Sequence, residues 1–402
     1  MARSEWAAVG VEDDIRDALQ SVRARRPDMA VRRELLRMTA SIGVAFSFVG
    51  FPCASKTEAD LCVDLVRTAG GERLPITPVV MARAVISDVE SVADVQDRAG
   101  HPVLADIYIP TSAIRARVED WSLADMLQRL WAACDRARQL GVAFRVAFED
   151  SSRTSPADLE HALETATATH ASCLVLNDTV GVCLPDDAAR HVAFTVKDLR
   201  RRGSTMTVAW HGHNDKGLAL ANALSAVEAG ADLISGTFTG VGERTGNIPL
   251  EQLIYLLAEN GSTSFDLAAL LPLCAAYAEA LGGGVTDNAP IVGRDAFRTA
   301  TGTHAAAIIK ARAMSEELND LVYSGVEARL LGRRHEILIG PGSGRAAVAS
   351  VLDAVGSDPG PEDVEGVLAL CRESATCIED PADVLKALNE VRHRQADGSY
   401  RR

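Results

Sequence analysis

The feature that most constrains the fold is a regular alternation of short β-branched, apolar runs with amphipathic segments. The apolar runs cover residues 6–11, 43–50, 77–82, 103–109, 142–148, 172–177, 206–211 and 232–238. The segments between them carry apolar residues at helical spacing, as at Leu123, Met126, Leu127 and Leu130. Eight strand–helix units within about 260 residues favour a closed (β/α)8 barrel over an open, doubly wound sheet. No G-x-G-x-x-G motif opens a helix after an early strand, which counts against a dinucleotide-binding fold.

The pattern changes after the eighth unit. Residues 249–260 are predicted to form the last barrel helix, because a proline suits the first turn of a helix. Ala- and Leu-rich helical segments follow, interrupted by the glycines at 282–284. We therefore predict an α/β protein with a TIM barrel over residues 1–263 and a mainly helical C-terminal subdomain over residues 264–402.

Composition excludes several classes of partner. The formal net charge is −14 and no long Lys/Arg tract is present, so nucleic acid and anionic membrane surfaces are poor partners. The N-terminus has no apolar signal core, and no run of 18 apolar residues occurs. Most of the eight cysteines lie singly in apolar runs, where a reduced, buried thiol is expected. These features predict a cytoplasmic protein.

Two histidines stand at the end of the seventh predicted strand. His211 and His213 are two residues apart, so on a strand their side chains point to the same face. At the C-terminal end of a barrel strand, two such imidazoles can share one divalent cation. A pair of core histidines explains the same pattern about equally well, so the pair alone does not decide between the two interpretations.

Other strand ends also carry polar side chains. Function in such barrels is located where the strands end. The residues predicted at that rim are Arg16, Asp17, Arg83, Glu149, Asp150, Asp178, Thr179, His211 and His213. Each of them alone is explained by a helix cap or a solvated loop, but a carboxylate ending a buried strand, such as Glu149, needs a partner or a function.

Longer motifs carry a resemblance to a known family. Residues 12–20 resemble the opening D-x-T-L-R-D-G-x-Q element of the DRE-TIM metallolyase superfamily. Residues 211–222 (H-x-H-N-D-x-G-x-A-x-A-N) and 240–247 (G-x-G-E-R-x-G-N) resemble its acetyl-CoA-dependent branch, the 2-isopropylmalate and homocitrate synthases. Residues 299–307 are similar to that branch's S-G-x-H-x-D-A element. The resemblance covers residues from about 11 to about 345.

The resemblance implies a metal-dependent site. A divalent ion would be held by Asp17, His211, His213 and Asn247. This mixed oxygen and nitrogen set suits Mg²⁺, Mn²⁺, Zn²⁺ or Co²⁺ without selecting one. Arg16 would stabilise negative charge on the carbonyl oxygen of a 2-oxo acid, and Thr179 would bind the carboxylate of that acid.

The second substrate implied by the resemblance is acetyl-CoA, whose methyl group must lose a proton. Candidates for that transfer are Glu149 at the barrel rim and the pair His304 and Tyr323 of the C-terminal subdomain. In the related synthases the equivalent histidine and tyrosine reach a neighbouring subunit, which implies a homodimer and a role of the subdomain in the acetyl-CoA site. Without the resemblance, His304 is an ordinary helix-start residue and Tyr323 a packing residue.

The chain departs from the family pattern near the substrate. Ala18 and Leu19 replace a glycine and an acidic residue, and Phe48 stands where many relatives have an acidic residue facing the pocket. These departures leave the identity of the oxo acid open. Arg83, Arg153 and Lys216 can serve a second anionic group of the substrate, or can be solvated rim residues paired with nearby carboxylates such as Glu149, Asp150 and Asp215.

The leading hypothesis is a Claisen condensation of acetyl-CoA with a 2-oxo acid, followed by thioester hydrolysis, as in a 2-isopropylmalate synthase. The same chemistry on a more anionic acid, as in homocitrate, citrate or phosphonomethylmalate synthases, is the alternative. A retro-aldol lyase of the same superfamily ranks lower, because it needs neither residues 240–247 nor His304. A non-catalytic barrel ranks last, since all the implied metal ligands are present. Residues 341–402 are too few for a leucine-type regulatory domain, so we expect no such regulation.

Overall fold

The computed structural model describes residues 3–397, with side chains described from Trp6 onward. Residues 1–2 and 398–402, at the outer ends of the two predicted domains, lie outside the described residues. Within the described part, the chain forms two compact units, residues 3–285 and 286–397. In residues 3–397, no helix combines the length and the apolar character that a membrane span requires.

The first unit is built around eight parallel strands that close into a barrel in sequence order, with β1 paired to both β2 and β8. The strands are β1 (Gly10–Asp13), β2 (Phe46–Gly50), β3 (Thr77–Arg83), β4 (Leu104–Pro110), β5 (Ala143–Glu149), β6 (Cys173–Asp178), β7 (Thr207–Gly212) and β8 (Leu233–Gly236). This confirms the predicted TIM barrel.

Helices connect the strands on the outside of the barrel. They are α1 (Ile15–Ala18), α2 (Met29–Ile42), α3 (Lys56–Gly71), α4 (Ile86–Ala99), α5 (Ala113–Glu119), α6 (Leu123–Gln139), α7 (Pro156–Thr169), α8 (Pro185–Arg201), α9 (Ala219–Glu228), α10 (Leu250–Glu259) and α11 (Leu270–Ala280). Several begin at residues that favour helix starts. Ser55 and Asp28 accept hydrogen bonds from backbone amides of the first turn, and Ser122 forms a capping box with Asp125.

The first strand begins later than predicted. Residues 3–8 form a 3₁₀ helix, in which the Val9 amide bonds to the Trp6 carbonyl, and β1 runs from Gly10 to Asp13. The shift matters because it places Glu12 inside β1, with its side chain toward the barrel interior, and Asp13 on the opposite face.

The barrel interior combines small apolar residues with buried charge. Ala147, Cys173, Val175, Ala209 and Leu233 form one apolar cluster. Charged side chains lie at other inward positions and are paired with one another, as described below. The larger apolar side chains, among them Trp210, Phe148 and Leu174, point outward into the layer between strands and helices and are fully buried there.

The boundary between the units lies further along the chain than residue 263. Helix α11 belongs to the barrel unit, because the hydroxyl of Tyr277 donates to Asp13 Oδ1 at 3.0 Å and the Arg25 amide bonds to the Leu281 carbonyl. Both Tyr277 and Asp13 are buried. We therefore move the boundary from residue 263 to residue 285. A bond between residues this far apart in sequence has no local signature.

The second unit is mainly helical, as predicted. Its helices are α12 (Gly302–Arg312), α13 (Glu316–Leu321), α14 (Arg345–Ala354), α15 (Pro361–Glu373) and α16 (Pro381–Ala396), with a two-stranded parallel sheet of β9 (Arg298–Thr299) and β10 (Glu336–Ile337). Its core is formed by apolar residues that include Val348, Leu352, Val367 and Leu388.

The Tyr277–Asp13 bond provides a test of the fold. Burial raises the pKa of Asp13, and the hydrogen bond from Tyr277 offsets this in part. We expect Tyr277→Phe to lower the free energy of unfolding by about 1–3 kcal/mol, because it leaves a buried carboxyl without a partner. Urea denaturation measures this. The control is Tyr323→Phe, which removes a half-exposed hydroxyl and should change stability by less than about 0.5 kcal/mol. Equal stabilities of the two variants would contradict the assignment.

Candidate metal centre and active site

A cavity of about 260 Å³ opens at the C-terminal ends of the barrel strands. Asp17, on the single turn α1 that follows β1, contributes one wall, and His211 and His213, from the end of β7, contribute another. Arg16, Glu149 and Thr179 also line this cavity, which therefore gathers most of the residues predicted at the rim.

Asp17, His211 and His213 form a cluster with metal-ligand geometry. Asp17 Oδ2 lies 3.4 Å from His211 Nε2 and 3.5 Å from His213 Nε2. One ligand atom from each residue lies within 4.8 Å of the others, and all three residues are buried. Atoms about 2.0–2.2 Å from one shared ion stand roughly 3–3.6 Å apart, so the two measured distances match a common ligand shell.

Neighbouring groups position Asp17 and His211. The Asp17 amide donates to Asp14 Oδ1 at 2.8 Å. Gln20, with its amide nitrogen toward Asp17, donates to Asp17 Oδ1 at 2.9 Å, which leaves Oδ2 facing the histidines. Ser235 Oγ, from β8, lies 3.4 Å from His211 Nδ1. Such outer contacts fix which atom of each ligand faces the ion.

The charge states of two members suit a cation. Burial favours neutral Asp17, but the hydrogen bond with His211 and the charge of Arg16 outweigh it and keep the Asp17 pKa well below its usual value. Burial, with the neighbouring His211, lowers the pKa of His213 to about 4. The His211 pKa is raised, because the contact with Asp17 outweighs burial. At neutral pH the cluster therefore offers a carboxylate from Asp17 and a neutral imidazole from His213, and a proton competes with a metal ion for His211, whose pKa is raised.

Asn247 fits the role of a further ligand. Its side chain is fully buried, and neither Oδ1 nor Nδ2 has a hydrogen-bond partner among the described residues. Its backbone forms an antiparallel bridge with that of His213. A Cβ at Gly242 would lie 2.2 Å from Asn247 Nδ2, so glycine is required there. A buried amide without partners is costly, and a bound ion would satisfy its oxygen.

Arg16 is a buried cation beside the cluster. Its Nη2 donates to Asp14 Oδ2 at 2.8 Å, and its guanidinium carbon lies 4.9 Å from the centre of the Phe48 ring. Burial favours loss of its charge, but the carboxylates of Asp14 and Asp17 outweigh burial and raise the Arg16 pKa. The cavity thus contains a permanent positive charge next to the candidate metal ligands.

Thr179 and Glu149 face the same cavity. The Asp150 amide donates to Thr179 Oγ1 at 2.8 Å, so the hydroxyl proton of Thr179 remains free to donate. Glu149 Oε1 lies 3.0 Å from Arg115 Nε. Burial raises the pKa of Glu149, an effect that Arg115 reduces. Glu149 is therefore a stronger base than an exposed glutamate.

Three cationic residues predicted at the rim bond to partners away from the cavity around Asp17. Arg83 donates to both oxygens of buried Asp88, at 2.7 and 2.9 Å, and Lys216 Nζ donates to the Val182 carbonyl. Arg153 donates to Asp150, as the alternative interpretation expected. None of the three is among the described residues that line the cavity around Asp17. The structure thus does not place Arg83 or Lys216 in the proposed substrate-binding position.

Sequence reasoning missed an ion cluster at the bottom of the cavity. Arg145 of β5 donates to Glu12 of β1 and to Asp106 of β4, and all three line the cavity. A signal was present, since Arg145 and Asp106 each interrupt an apolar strand, and a charge inside a buried strand must be paired. The sequence does not identify the partner, because Glu12 and Arg145 are 133 positions apart.

The two candidate residues of the second unit, His304 and Tyr323, are in contact. The rings of His304 and Tyr323 are stacked, with centroids 4.0 Å apart and planes inclined by 23°. Tyr323 and Leu321 are half exposed, and Met314 is 74% exposed. The pair therefore lies on the surface of its own unit.

The fold and the cluster together define a TIM-barrel protein with a candidate divalent-metal centre. The family model described as HMGL-like matches residues 10–274, and the chain belongs to this family. This confirms the resemblance seen in the motifs.

Two curated relatives and one solved structure show which proteins this chain resembles. Homocitrate synthase AksA of Methanopyrus kandleri is 31% identical over 338 residues, which cover 83% of this chain and 80% of that protein. A 2-isopropylmalate synthase of Solidesulfovibrio magneticus is 32% identical over 359 residues, covering 85% of this chain but only 65% of that protein. Among solved structures, the hydroxymethylglutaryl-CoA lyase of Pseudomonas aeruginosa shares the fold, with a TM-score of 0.59, 20% identity, and coverage of 71% of this chain and 96% of that one.

The metal centre can be tested without turnover. We expect Asp17→Asn to weaken Mn²⁺ binding to EDTA-treated protein, measured by calorimetry, by at least the factor of about 10–100 that outer contacts alone contribute. Wild-type affinity should also fall as pH drops through the raised pKa of His211, because protons compete with the ion there.

The matched control is His191→Gln, which changes a half-buried imidazole whose ring packs edge-on against Trp210. We expect His191→Gln to bind Mn²⁺ as the wild type does. Unchanged binding in Asp17→Asn would exclude the proposed centre.

Proposed function

We propose that this protein condenses acetyl-CoA with a 2-oxo acid and hydrolyses the thioester, releasing CoA and a 2-alkylmalate-type product. In this reaction the acetyl methyl carbon loses a proton and bonds to the carbonyl carbon of the oxo acid. Water then cleaves the thioester, and the thiol of CoA leaves. The observation that carries the proposal is that Asp17, His211, His213, Arg16 and Thr179 line a single cavity.

The residues present fit a divalent cation, with Asp17, His211 and His213 as the core of the set and Asn247, otherwise without partners, as a further ligand. When bound, such a cation withdraws electron density from the carbonyl group of a chelated oxo acid. Mg²⁺, Mn²⁺, Zn²⁺ and Co²⁺ all suit this donor set.

Arg16 and Thr179 would act on the oxo acid directly. Arg16 holds a permanent charge in a buried cavity, where a fixed cation stabilises a developing oxyanion far better than water does. The free hydroxyl proton of Thr179 would donate to the substrate carboxylate and so fix the orientation of the acid.

Proton removal from the acetyl group has two candidates. Glu149 faces the cavity, and its raised pKa makes it a better base than an exposed carboxylate. The stacked His304–Tyr323 pair is the second candidate. We assign proton transfer to these groups together, with the pair supplied by a neighbouring copy of the chain.

A homodimer is supported by the surface around that pair. Met314, Leu318, Leu321, Val322 and Tyr323 are all at least one third exposed. Exposed apolar side chains concentrated in ten residues are typical of an interface. The C-terminal unit would use this surface to bind a second copy and to complete its acetyl-CoA site.

The alternatives have less support. A retro-aldol lyase matches the solved structures at the level of the fold, but the relatives that align with most of this chain are synthases. The free state of all eight cysteines supports a reducing, cytoplasmic compartment.

The activity is tested by thiol release from acetyl-CoA with a panel of 2-oxo acids, with and without EDTA. We expect metal-dependent release with at least one acid. We expect Arg16→Gln to lower kcat by about 10²–10³-fold, because it removes a cation aimed at the oxyanion.

The control is Arg190→Gln, which alters an exposed arginine of α8 paired with Asp187 and should leave kcat unchanged. No release with any of 2-oxoisovalerate, 2-oxoglutarate, oxaloacetate, pyruvate or their phosphonate analogues would exclude the proposed reaction.

Sharing of the site between copies is tested by mixing two inactive variants, Arg16→Gln and His304→Ala. If His304 acts on the barrel of the partner, half of the dimers in an equal mixture are mixed and each has one intact site. Activity should then recover to about one quarter of the wild-type value. If His304 acts within its own chain, mixing restores nothing, because every site lacks one of the two groups.

A further inference from the structure

The loop between α1 and α2 begins in the wall of the cavity. Gln20 lines the cavity beside Asp17, and the loop ends where Asp28 caps α2. The Arg25 amide donates to the Leu281 carbonyl at 2.9 Å, which fixes the middle of the loop against the C-terminal end of α11. We call residues 19–27 the arginine loop.

The arginine loop concentrates positive charge in an acidic chain. Arg23, Arg25 and Arg26 lie within four consecutive positions, and no acidic residue occurs in residues 18–27. All three side chains are exposed, and none forms an ion pair or a side-chain hydrogen bond with another described residue. Exposed arginines elsewhere in the barrel, such as Arg98, have carboxylate partners. The loop therefore presents cations that the protein itself does not neutralise.

A buried arginine beneath the loop adds to this charge. Arg32 of α2 is 6% exposed, and its Nε donates to the Pro27 carbonyl at 3.3 Å. No carboxylate of the described residues forms an ion pair with Arg32. Burial lowers the pKa of Arg32, Glu58 opposes this, and the charge of Arg26 lowers the pKa further. An anion bound among these like charges would relieve their repulsion.

The proposed co-substrate supplies an anion of suitable length. Acetyl-CoA carries its acetyl group at one end of a pantetheine arm, and a 5′-diphosphate and a 3′-phosphate on adenosine at the other end. Arg23, Arg25 and Arg26 follow Gln20 by three to six positions. Their Cα atoms therefore lie at most about 22 Å from that of Gln20. The extended arm spans a comparable distance, so a thioester in the cavity can have its phosphates at the loop.

We propose that the arginine loop binds the phosphate groups of acetyl-CoA, with Arg23, Arg25 and Arg26 in contact with them and Arg32 adding positive charge from beneath. This inference rests on the proposed condensation and assigns the nucleotide end of its co-substrate to a place on the chain. Guanidinium groups suit this role, because their planar N–H donors pair with two phosphate oxygens at once. The loop would hold acetyl-CoA by groups that do not react.

The first test compares acetyl-CoA with S-acetylpantetheine, which has the same thioester but no phosphate. We expect the triple variant Arg23→Gln/Arg25→Gln/Arg26→Gln to lower kcat/KM for acetyl-CoA by about 10-fold or more, because it removes the charged donors to the phosphates. The kcat/KM for S-acetylpantetheine should not change, since this substrate does not reach the loop.

The outcomes of this test separate the inference from the proposed reaction. An unchanged kcat/KM for acetyl-CoA would overturn the inference and leave the reaction standing. An equal loss with both thioesters would show damage to the reacting end of the site and would also overturn the inference. Thiol release from neither thioester by the wild type would instead overturn the reaction. If the wild type accepts acetyl-CoA alone, the inhibitor test below decides.

The matched control is the triple variant Arg67→Gln/Arg138→Gln/Arg200→Gln, which changes the net charge by the same amount. These exposed arginines lie near the C-terminal ends of α3, α6 and α8, on the opposite side of the barrel from the cavity. The kcat/KM for acetyl-CoA should stay at the wild-type value. A loss as large as in the loop variant would show a general effect of net charge and overturn the inference.

The second test uses adenosine 3′,5′-bisphosphate, which has a nucleotide and phosphates but no pantetheine arm. We expect it to compete with acetyl-CoA in the wild type, and its inhibition constant to rise by about 10-fold or more in the loop variant. Inorganic phosphate at the same concentration should inhibit both proteins weakly and equally. No competition by the nucleotide would overturn the inference. Inorganic phosphate that inhibits the wild type as strongly as the nucleotide would indicate a site for free anions and overturn it as well.

Discussion

The pairing of β1 with β8 is the contact on which the site depends. Asp17 follows β1, and His211 ends β7, so the two come from strands that are not neighbours. Strand β8 lies between them and also provides Ser235, which contacts the His211 ring. Closure of the barrel therefore brings Asp17 Oδ2 to 3.4 Å from His211 Nε2, although the two residues are 194 positions apart.

The same region concentrates negative charge, and separate partners stabilise each carboxylate. Four acidic residues between positions 12 and 17 are buried. Along the chain, Glu12, Asp13, Asp14 and Asp17 contact Arg145, Tyr277, Arg16 and the two histidines, respectively. Strand alternation explains why adjacent carboxylates have different partners, because Glu12 faces the barrel interior and Asp13 faces α11.

The sequence predicted features with a short period or a dense motif. The eight strands followed from alternation of apolar runs. The spacing at 211–213 indicated the histidine pair, and the family resemblance added Asp17. The side-chain pairings across the barrel could not be predicted from the sequence. Nothing near Arg145 in the sequence indicates that its partner is Glu12. Tyr277 lies in an apolar helix, and nothing in the sequence indicates its bond to Asp13, which ties α11 to the barrel unit. Arg83 was misplaced for a different reason, since Asp88, only five residues away, competes for it locally.

The length of the family motifs has a physical explanation beyond metal ligation. Arg244, between the glycines of 240–247, donates to Asp215 at 2.8 Å and to the Thr179 carbonyl at 2.7 Å. The Asn214 amide bonds to the Gly246 carbonyl at 2.9 Å, which joins the same two loops through the backbone. A Cβ at Gly181 would lie 2.7 Å from the His213 carbonyl, so the loops pack without room for a side chain there. Three loops are thus braced against one another around His213, Thr179 and Asn247. Two histidines two residues apart occur readily in unrelated strands, whereas the full set of bracing residues is needed only where these loops must hold a site of this shape.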